Sequence, residues 1–208
     1  MSSTVRQSHL NLATFNCRSV KSSVNEVKQL CDSYDSVMLQ EHWLLPHELS
    51  RLSVLHPEFL AVAESAVNVT HDILVGRPYG GTAILYRREI AKNIKAVASS
   101  DPRISAVIFH SNKGPVLMAC VYMPVDNGDI VSLENYIETC ATISALISDT
   151  EAVHVIVAGD FNCQSHTRFY SALSNLVDDN SLVLTDTKRL SNAFTYYRYC
   201  YQHHCRLQ

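Results

Sequence analysis

Four apolar segments of strand length, each ending at a polar residue, constrain the fold of this sequence more than any other feature. The segments are 10–15, 36–40, 116–121 and 152–158, and the residues that follow them are Asn16, Glu41, Tyr122 and the run Gly159-Asp160-Phe161-Asn162. Strands of one fold lie side by side, so polar residues at corresponding strand ends can meet at one rim. Two carboxylates, two amides and a phenol at such a rim predict a site for a hard cation beside a substrate phosphate.

The bulk composition is that of an ordinary globular protein. Of the 208 residues, 47% are hydrophobic and 18% are charged, which predicts one domain spanning residues 1–208. No segment approaches the roughly 20 consecutive apolar residues that span a bilayer. No signal-peptide pattern follows the polar start of the chain. We therefore expect no membrane association and an intracellular location, either nuclear or cytoplasmic.

The cysteine content argues against a disulfide-bonded protein, and the net charge argues against a tight, non-specific nucleic-acid binder. The seven cysteines include no Cys-x-x-Cys pair, which favours reduced, mostly buried thiols over a disulfide framework. The net charge is −3, so the chain lacks the basic excess that tight, non-specific nucleic-acid binders often carry. Charge alone therefore gives no argument for DNA as a partner.

Apolar residues recur at helical spacing in three further segments. They are Val20–Leu30, with Ser23-x-x-Glu26 as a capping box or an earlier start at Ser19, Leu133–Ile147, with Ser132 as the N-cap, and Ser165–Leu176. Shorter strand patterns occupy residues 59–63, 82–86, 94–98, 104–110, 181–184 and 193–197. The turn formers of Gly76–Gly81 predict a loop.

The strand patterns predict an α/β fold with buried sheets. The apolar segments show little strict alternation, which indicates strands that are covered on both faces. A β-sandwich flanked by helices meets this requirement. A doubly wound sheet is the competing architecture from the pattern alone.

Taken singly, each candidate site residue has a structural explanation beside the functional one. Glu41 suits an exposed loop, and Asp160 with Asn162 suits an Asx-type turn. Asn16 suits a turn, and Tyr122 suits ordinary packing. Their shared position at strand ends is what favours a functional site.

Three neighbouring residues carry expectations of their own. Gly159 should let the backbone turn directly after a buried strand. His154 should be a bonded core residue within its strand. His42 lies at the rim but should point away from Glu41, because successive strand residues face opposite sides.

Six motifs occur in the order seen in the endonuclease/exonuclease/phosphatase superfamily. They are Thr14-Phe15-Asn16, Leu39-Gln40-Glu41-His42, Tyr79–Tyr86, Val121–Pro124, Gly159–Asn162 and Ala193–Tyr196. The sequence resembles most closely the apurinic-like endonucleases of LINE-type (non-LTR) retrotransposons, from Leu10 to Tyr197. This resemblance implies a four-layer αββα sandwich and a DNA endonuclease that depends on Mg²⁺, or on Mn²⁺ in its place.

The resemblance also implies a metal site and a partner. Glu41 resembles the metal-binding carboxylate of the family, and Asn16 resembles the amide that supports it. Magnesium prefers few protein ligands and keeps several waters, so one or two carboxylates suffice. The implied partner is DNA, contacted through its backbone and its groove shape.

The implied catalytic residues are spread over three motifs. Tyr122 resembles the phenol that positions or stabilises the scissile phosphate. Asp160 resembles the carboxylate that aligns or deprotonates the attacking water. Asn162 resembles the amide that bonds a phosphate oxygen, and Thr195 resembles a hydroxyl near that phosphate.

The sequence departs from the family pattern after Thr195. The family carries an Asp and then a Ser-Asp-His run on two further strands, and neither follows Thr195 here. We therefore expect a C-terminally truncated domain with weak or no activity, in which residues 198–208 form a tail outside the native fold. A reverse transcriptase domain, which would use the nicked DNA, is absent from these 208 residues. The open alternatives are another phosphodiesterase or phosphatase of the same fold and a non-catalytic remnant.

Overall fold

The computed structural model describes residues 10–67 and 78–185, together with the backbone of two strands at 196–200 and 203–207. The chain divides into two compact units. The first comprises Met1–Tyr122 and Ala152–Asp160, and the second comprises Met123–Glu151 and Phe161–Gln208. No helix among the described residues is long and apolar enough to cross a membrane.

The described residues of the first unit form eight strands, one α-helix and two 3₁₀ helices. In chain order they are β1 (Leu12–Asn16), α1 (Val24–Ser33), β2 (Ser36–Gln40), the first 3₁₀ helix (Pro46–Val54), β3 (Phe59–Glu64), β4 (Thr82–Arg87), the second 3₁₀ helix (Arg88–Asn93), β5 (Ile94–Val97), β6 (Ile104–Ser111), β7 (Gly114–Tyr122) and β8 (His154–Asp160). The strands form two four-stranded sheets, with orders β1-β2-β4-β3 and β5-β6-β7-β8. Each sheet is mixed, because β1–β2 and β7–β8 pair in parallel and the other neighbours pair antiparallel.

The two sheets pack face to face in the first unit. The apolar layer between them is Met38 and Ile84 of the first sheet with Val107, Met118 and Cys120 of the second. The amide of Gln40 donates to Cys120 Sγ at 3.1 Å, which joins the sheets near the ends of β2 and β7. This packing confirms the predicted α/β class with two sheets and excludes a single doubly wound sheet.

The opposite face of the first sheet is covered by helical structure. Val27 and Cys31 of α1 and Leu52 of the first 3₁₀ helix form one core cluster with Leu39 and Leu85 of the sheet. Neighbouring residues of β2 and β4 therefore fill two different cores, one on each face. This explains why the apolar segments lack alternation.

The second unit contains α2 (Ile130–Asp149), α3 (Phe169–Asp179), β9 (Tyr196–Cys200) and β10 (His203–Leu207). The two helices pack through stacked rings of Tyr136 and Phe169, whose centroids are 4.3 Å apart. Asn180 Nδ2 donates to Ser144 Oγ at 2.9 Å. Strands β9 and β10 pair antiparallel in a two-stranded sheet.

Several predicted boundaries are wrong for identifiable reasons. Ser23 precedes α1 but does not cap it, because its Oγ donates to the Cys17 carbonyl at 2.6 Å. The N-cap of α2 is Asp129 rather than Ser132, since Asp129 Oδ1 accepts the Ser132 N–H at 2.7 Å. The segment 181–184 is not a strand. A single domain over residues 1–208 and a non-native tail at residues 198–208 both stay predictions.

Candidate active site

The ends of four strands of the first unit bring together four of the predicted site residues. Asn16 ends β1, Glu41 follows β2, Tyr122 ends β7 and Asp160 ends β8. Asn16 Nδ2 donates to Glu41 Oε1 and to Asp160 Oδ2, each at 2.8 Å. One amide group therefore joins two carboxylates that lie 119 positions apart in the numbering and belong to different sheets.

Glu41 accepts hydrogen bonds from two further neutral groups. The indole Nε1 of Trp43 donates to Glu41 Oε2 at 3.2 Å. The Tyr122 phenol is also hydrogen-bonded to the Glu41 carboxylate. Burial raises the pKa of Tyr122 well above its ordinary value, and the charges of Glu41 and Asp160 raise that pKa further. Tyr122 is therefore a neutral hydrogen-bond donor at physiological pH.

A strained turn presents Glu41. Both Glu41 and Trp43 have φ of +56°, a left-handed value that costs non-glycine residues energy. His42 between them is buried. The strand alternation from which its direction was predicted does not apply, because β2 ends at Gln40. His42 Nδ1 accepts the Leu44 N–H at 3.0 Å and its Nε2 lies 3.0 Å from the Glu64 carbonyl. The imidazole therefore ties the turn to β3 instead of serving the site.

The Tyr79–Tyr86 motif supports this turn through its glycine pair. Gly80 O accepts the Trp43 N–H at 3.0 Å. Gly81 has φ of +84°, and a Cβ there would lie 2.4 Å from the His42 ring. Only glycine leaves room for the ring that holds the turn. The glycine pair was predicted as a loop, but its packing on His42 has no signature in the sequence.

Gly159 fixes the approach of β8 to β7. Its φ is +149°, and a Cβ there would lie only 1.9 Å from the Val121 carbonyl oxygen. The next pair in the parallel register is Tyr122 and Asp160. The expectation that Gly159 allows a turn is wrong, because the residue lies within β8. Its function in the fold is to let the two strands pair closely where their site residues begin.

Asn16 has a buried oxygen that bears on metal binding. Asn16 Oδ1 is the buried side-chain oxygen for which the described structure provides no hydrogen-bond partner. A buried acceptor without a partner is costly unless a ligand satisfies it. No group of three or more His, Cys, Asp or Glu side chains among the described residues could hold a metal. Two carboxylates and an amide oxygen nevertheless fit a hard cation that keeps most of its waters.

The remaining residues predicted from the sequence are Asn162, Thr195 and His154. Asn162, in the second unit, has φ of +45°, and its Nδ2 donates to the Met123 carbonyl at 2.8 Å. Thr195 lies outside the described residues. His154 begins β8 and is exposed, so the prediction that it is a bonded core residue is wrong. The later residues of β8 are partly buried, but its first residue is not.

Similar solved structures share the fold at low identity. An endonuclease domain of TRAS1, a telomere-specific non-LTR retrotransposon, gives a TM-score of 0.65 with 10% identity over 96% of this chain and 82% of its own. An AP endonuclease from Archaeoglobus fulgidus gives 0.61 with 14% identity over 94% and 80%. The 3′ phosphatase NExo from Neisseria, bound to a product DNA hairpin, gives 0.59 with 17% identity over 82% and 71%.

A family profile, rather than an individual similar protein, identifies the family of this chain. No curated protein is similar enough to match this sequence. The profile described as "Endonuclease/Exonuclease/phosphatase family" matches residues 13–206. The profile therefore includes every strand of the two described four-stranded sheets apart from the first residue of β1. Because the match covers most of the sequence, the chain belongs to the endonuclease/exonuclease/phosphatase family.

Proposed function

We propose that this chain is a Mg²⁺-dependent DNA endonuclease of the non-LTR retrotransposon type. The observation that carries the proposal is the joining of Glu41 and Asp160 by Asn16 at the ends of strands from two sheets. Two carboxylates held together by hydrogen bonds from a neutral amide, beside a protonated phenol, are suited to the hydrolysis of a phosphodiester. The motif resemblance and the similarity to the TRAS1 endonuclease fold support the retrotransposon assignment.

A Mg²⁺ or Mn²⁺ ion would be held by Glu41, with Asn16 in support and Asp160 close by. The family typically depends on Mg²⁺. The bound ion supplies counter-charge to the phosphate and lowers the pKa of a water molecule. Asn16 Oδ1 is a buried acceptor without a partner among the described residues, and it would be satisfied directly or through a metal-bound water.

The protein side chains have complementary duties in the proposed reaction. When the substrate binds, the Tyr122 O–H turns from Glu41 and donates a hydrogen bond to a phosphate oxygen, since its raised pKa keeps the phenol neutral. Asp160 aligns or deprotonates the attacking water. Asn162 and Thr195 contribute an amide and a hydroxyl to phosphate oxygens. The in-line attack of water cleaves one phosphorus–oxygen bond and leaves a 3′-hydroxyl on the DNA.

The proposed substrate contact is with the DNA backbone and groove shape. A rim of carboxylates and amides with a metal recognises phosphates better than bases. The net charge of −3 argues against strong non-specific binding, so we expect weak affinity for random DNA. A phospholipid or inositol phosphate substrate is the second candidate, because the Gly159–Asn162 and Gln40-Glu41 motifs suit any phosphodiester.

We further propose that the 208 residues act slowly by themselves. The 208 residues contain no Ser-Asp-His run, so by themselves they lack the imidazole that the family places near the phosphate. Loss of an acid–base group of this kind typically costs about 10²–10⁴-fold in rate. A non-catalytic remnant would show no turnover at all.

Nicking of supercoiled plasmid in Mg²⁺ tests the proposal. We expect slow conversion to the open circle, which EDTA stops and which Glu41→Gln and Asp160→Ala abolish. Glu89→Gln is the matched control, because Glu89 is an exposed carboxylate in the second 3₁₀ helix of the same unit. Calorimetry with Mg²⁺ separates the alternatives, since metal binding without turnover would identify a remnant.

Substrate choice needs its own comparison. Cleavage of an inositol phosphate or phospholipid headgroup, with intact plasmid under the same conditions, would refute the endonuclease assignment and retain the hydrolase. Failure of folded protein both to bind Mg²⁺ and to cleave any phosphodiester would refute the proposal as a whole.

A further inference from the structure

An open apolar groove lies between the start of α1 and the first 3₁₀ helix of the first unit. Its volume is about 350 Å³, and its apolar lining is Val20, Val24, Leu44, Leu52, Val54 and Leu55. Leu44 and Leu52 are fully buried, whereas Val54 is 78% exposed. A volume of this order matches ordinary ligand pockets.

Three cations border this groove. Lys21 Nζ and Arg51 Nη1 lie 2.8 and 3.3 Å from Glu48 Oε1, so one carboxylate serves two positive groups. Lys28 borders the groove from α1, and no salt bridge between described residues includes it. The border is therefore net positive, although the whole chain carries −3.

We propose that the groove binds an acidic amphipathic peptide segment of a partner protein. Apolar side chains of such a segment fill the space over Leu44 and Leu52. Its carboxylates meet Lys28 on one side and the Lys21–Arg51 pair on the other. Amphipathic segments bind apolar grooves through anchors at helical spacing, and charge complementarity selects among them.

The distribution of charge and the lining favour this occupant over two others. A nucleic-acid backbone would offer phosphates to the cations but no apolar side chains to fill the space over Leu44 and Leu52, which line the groove. A fatty acid has a single carboxylate, whereas the cations are carried by three separate segments of the chain. A peptide with several acidic residues satisfies all of them at once.

The groove is connected to the turn that presents Glu41. Val20 N donates to the His42 carbonyl at 3.1 Å, and Leu44 N donates to His42 Nδ1 at 3.0 Å. Two lining residues are thus bonded to the residue between Glu41 and Trp43. A bound peptide therefore contacts the support of the turn without contacting Glu41 itself. Trp43 is the single tryptophan of the chain and precedes Leu44, so its fluorescence reports on occupancy.

The test uses the full chain without Mg²⁺ or DNA, which makes it independent of the proposed nuclease activity. The probe is a synthetic peptide of about four helical turns with leucines at i, i+3, i+4 and i+7 and glutamates elsewhere. We expect a saturable change in Trp43 emission with a dissociation constant in the micromolar range. Lys28→Glu should weaken binding about tenfold, because attraction is replaced by repulsion. Val54→Asp should weaken binding by a similar factor.

Lys113→Glu is the matched charge control, since Lys113 is exposed in the turn between β6 and β7 of the second sheet. It should bind the peptide as the unmodified chain does, and circular dichroism checks that every variant is folded. The proposal is overturned if the peptide gives no saturable change, or if its lysine-for-glutamate analogue binds equally well. Binding of dodecanoate in place of the peptide would also overturn it, by identifying a site for a small lipid anion.

Discussion

Replacement of Gly159 by alanine should damage the fold far more than the same change at two other glycines with positive φ. An alanine Cβ at position 159 would lie 1.9 Å from Val121 O and 2.9 Å from Val121 N and C. At Gly114 the nearest atom would be Val153 Cγ2 at 3.0 Å, on an exposed side chain that can rotate. At Gly128 no atom lies within 4 Å. The three sites therefore separate backbone strain from steric overlap.

The expected cost follows from the clash with the Val121 carbonyl. A normal carbon–oxygen contact is about 3.3 Å, so β7 and β8 must separate by about 1.4 Å near this pair. Separation breaks ladder hydrogen bonds beside Tyr122 and Asp160, and each unpaired buried group costs about 1–3 kcal/mol. Backbone strain adds about 1 kcal/mol. We expect Gly159→Ala to lower the free energy of unfolding by about 3–5 kcal/mol, near the upper end for single substitutions.

Equilibrium unfolding in urea, followed by circular dichroism and Trp43 emission, measures these differences. Gly128→Ala should cost about 1 kcal/mol, from its left-handed φ alone. Gly114→Ala should fall between the other two variants. In thermal unfolding, each kcal/mol corresponds to about 2–4 °C for a chain of this size. The reasoning is refuted if Gly159→Ala is no less stable than Gly114→Ala, because β8 would then not require close pairing with Val121.

Two further predictions concern pH. Because the pKa of Tyr122 is raised in the folded state, the stability of the unmodified chain should fall as pH rises above about 10, where the unfolded phenol ionises. Tyr122→Phe should fall less steeply over the same range, and equal slopes in urea titrations would contradict this assignment. Burial lowers the pKa of His42, so its contribution to stability is present above about pH 6.5 and is lost as pH decreases. His42→Gln should therefore reduce the loss of stability between about pH 7 and 5, and an unchanged pH slope would place a charged imidazole in the fold.

The clustering of these four side chains was predictable because it depends on strand ends. A parallel pair places the residues after two strands at the same edge, and the chain contains two such pairs, β1–β2 and β7–β8. Asn16, Glu41, Tyr122 and Asp160 could therefore be selected from the sequence alone. The pattern could not say which side chains would contact each other. That depends on how the two sheets face each other, which is a property of tertiary packing.

The contacts that hold the Glu41 turn in place have no local signature in the sequence. The bond from Trp43 to Glu41 requires left-handed φ at both residues, which sequence propensity disfavours. The packing of Gly81 on His42 joins residues 39 positions apart in the numbering. His154 shows the reverse error, since a histidine inside an apolar run was assigned to the core although the strand begins there. Boundaries and long-range packing were thus the weak points, together with the short segment 181–184, which was predicted as a strand and is not one.

The groups around Glu41 support the proposal that this carboxylate binds a cation. Asn16, Trp43 and Tyr122 all donate to this carboxylate, and all three donors are neutral. None of the salt bridges between described residues includes Glu41. An arginine or lysine in the same place would hold the carboxylate equally well but would cancel its charge. Neutral donors fix the geometry and leave the negative charge uncompensated, which is the condition that favours binding of a hard divalent ion.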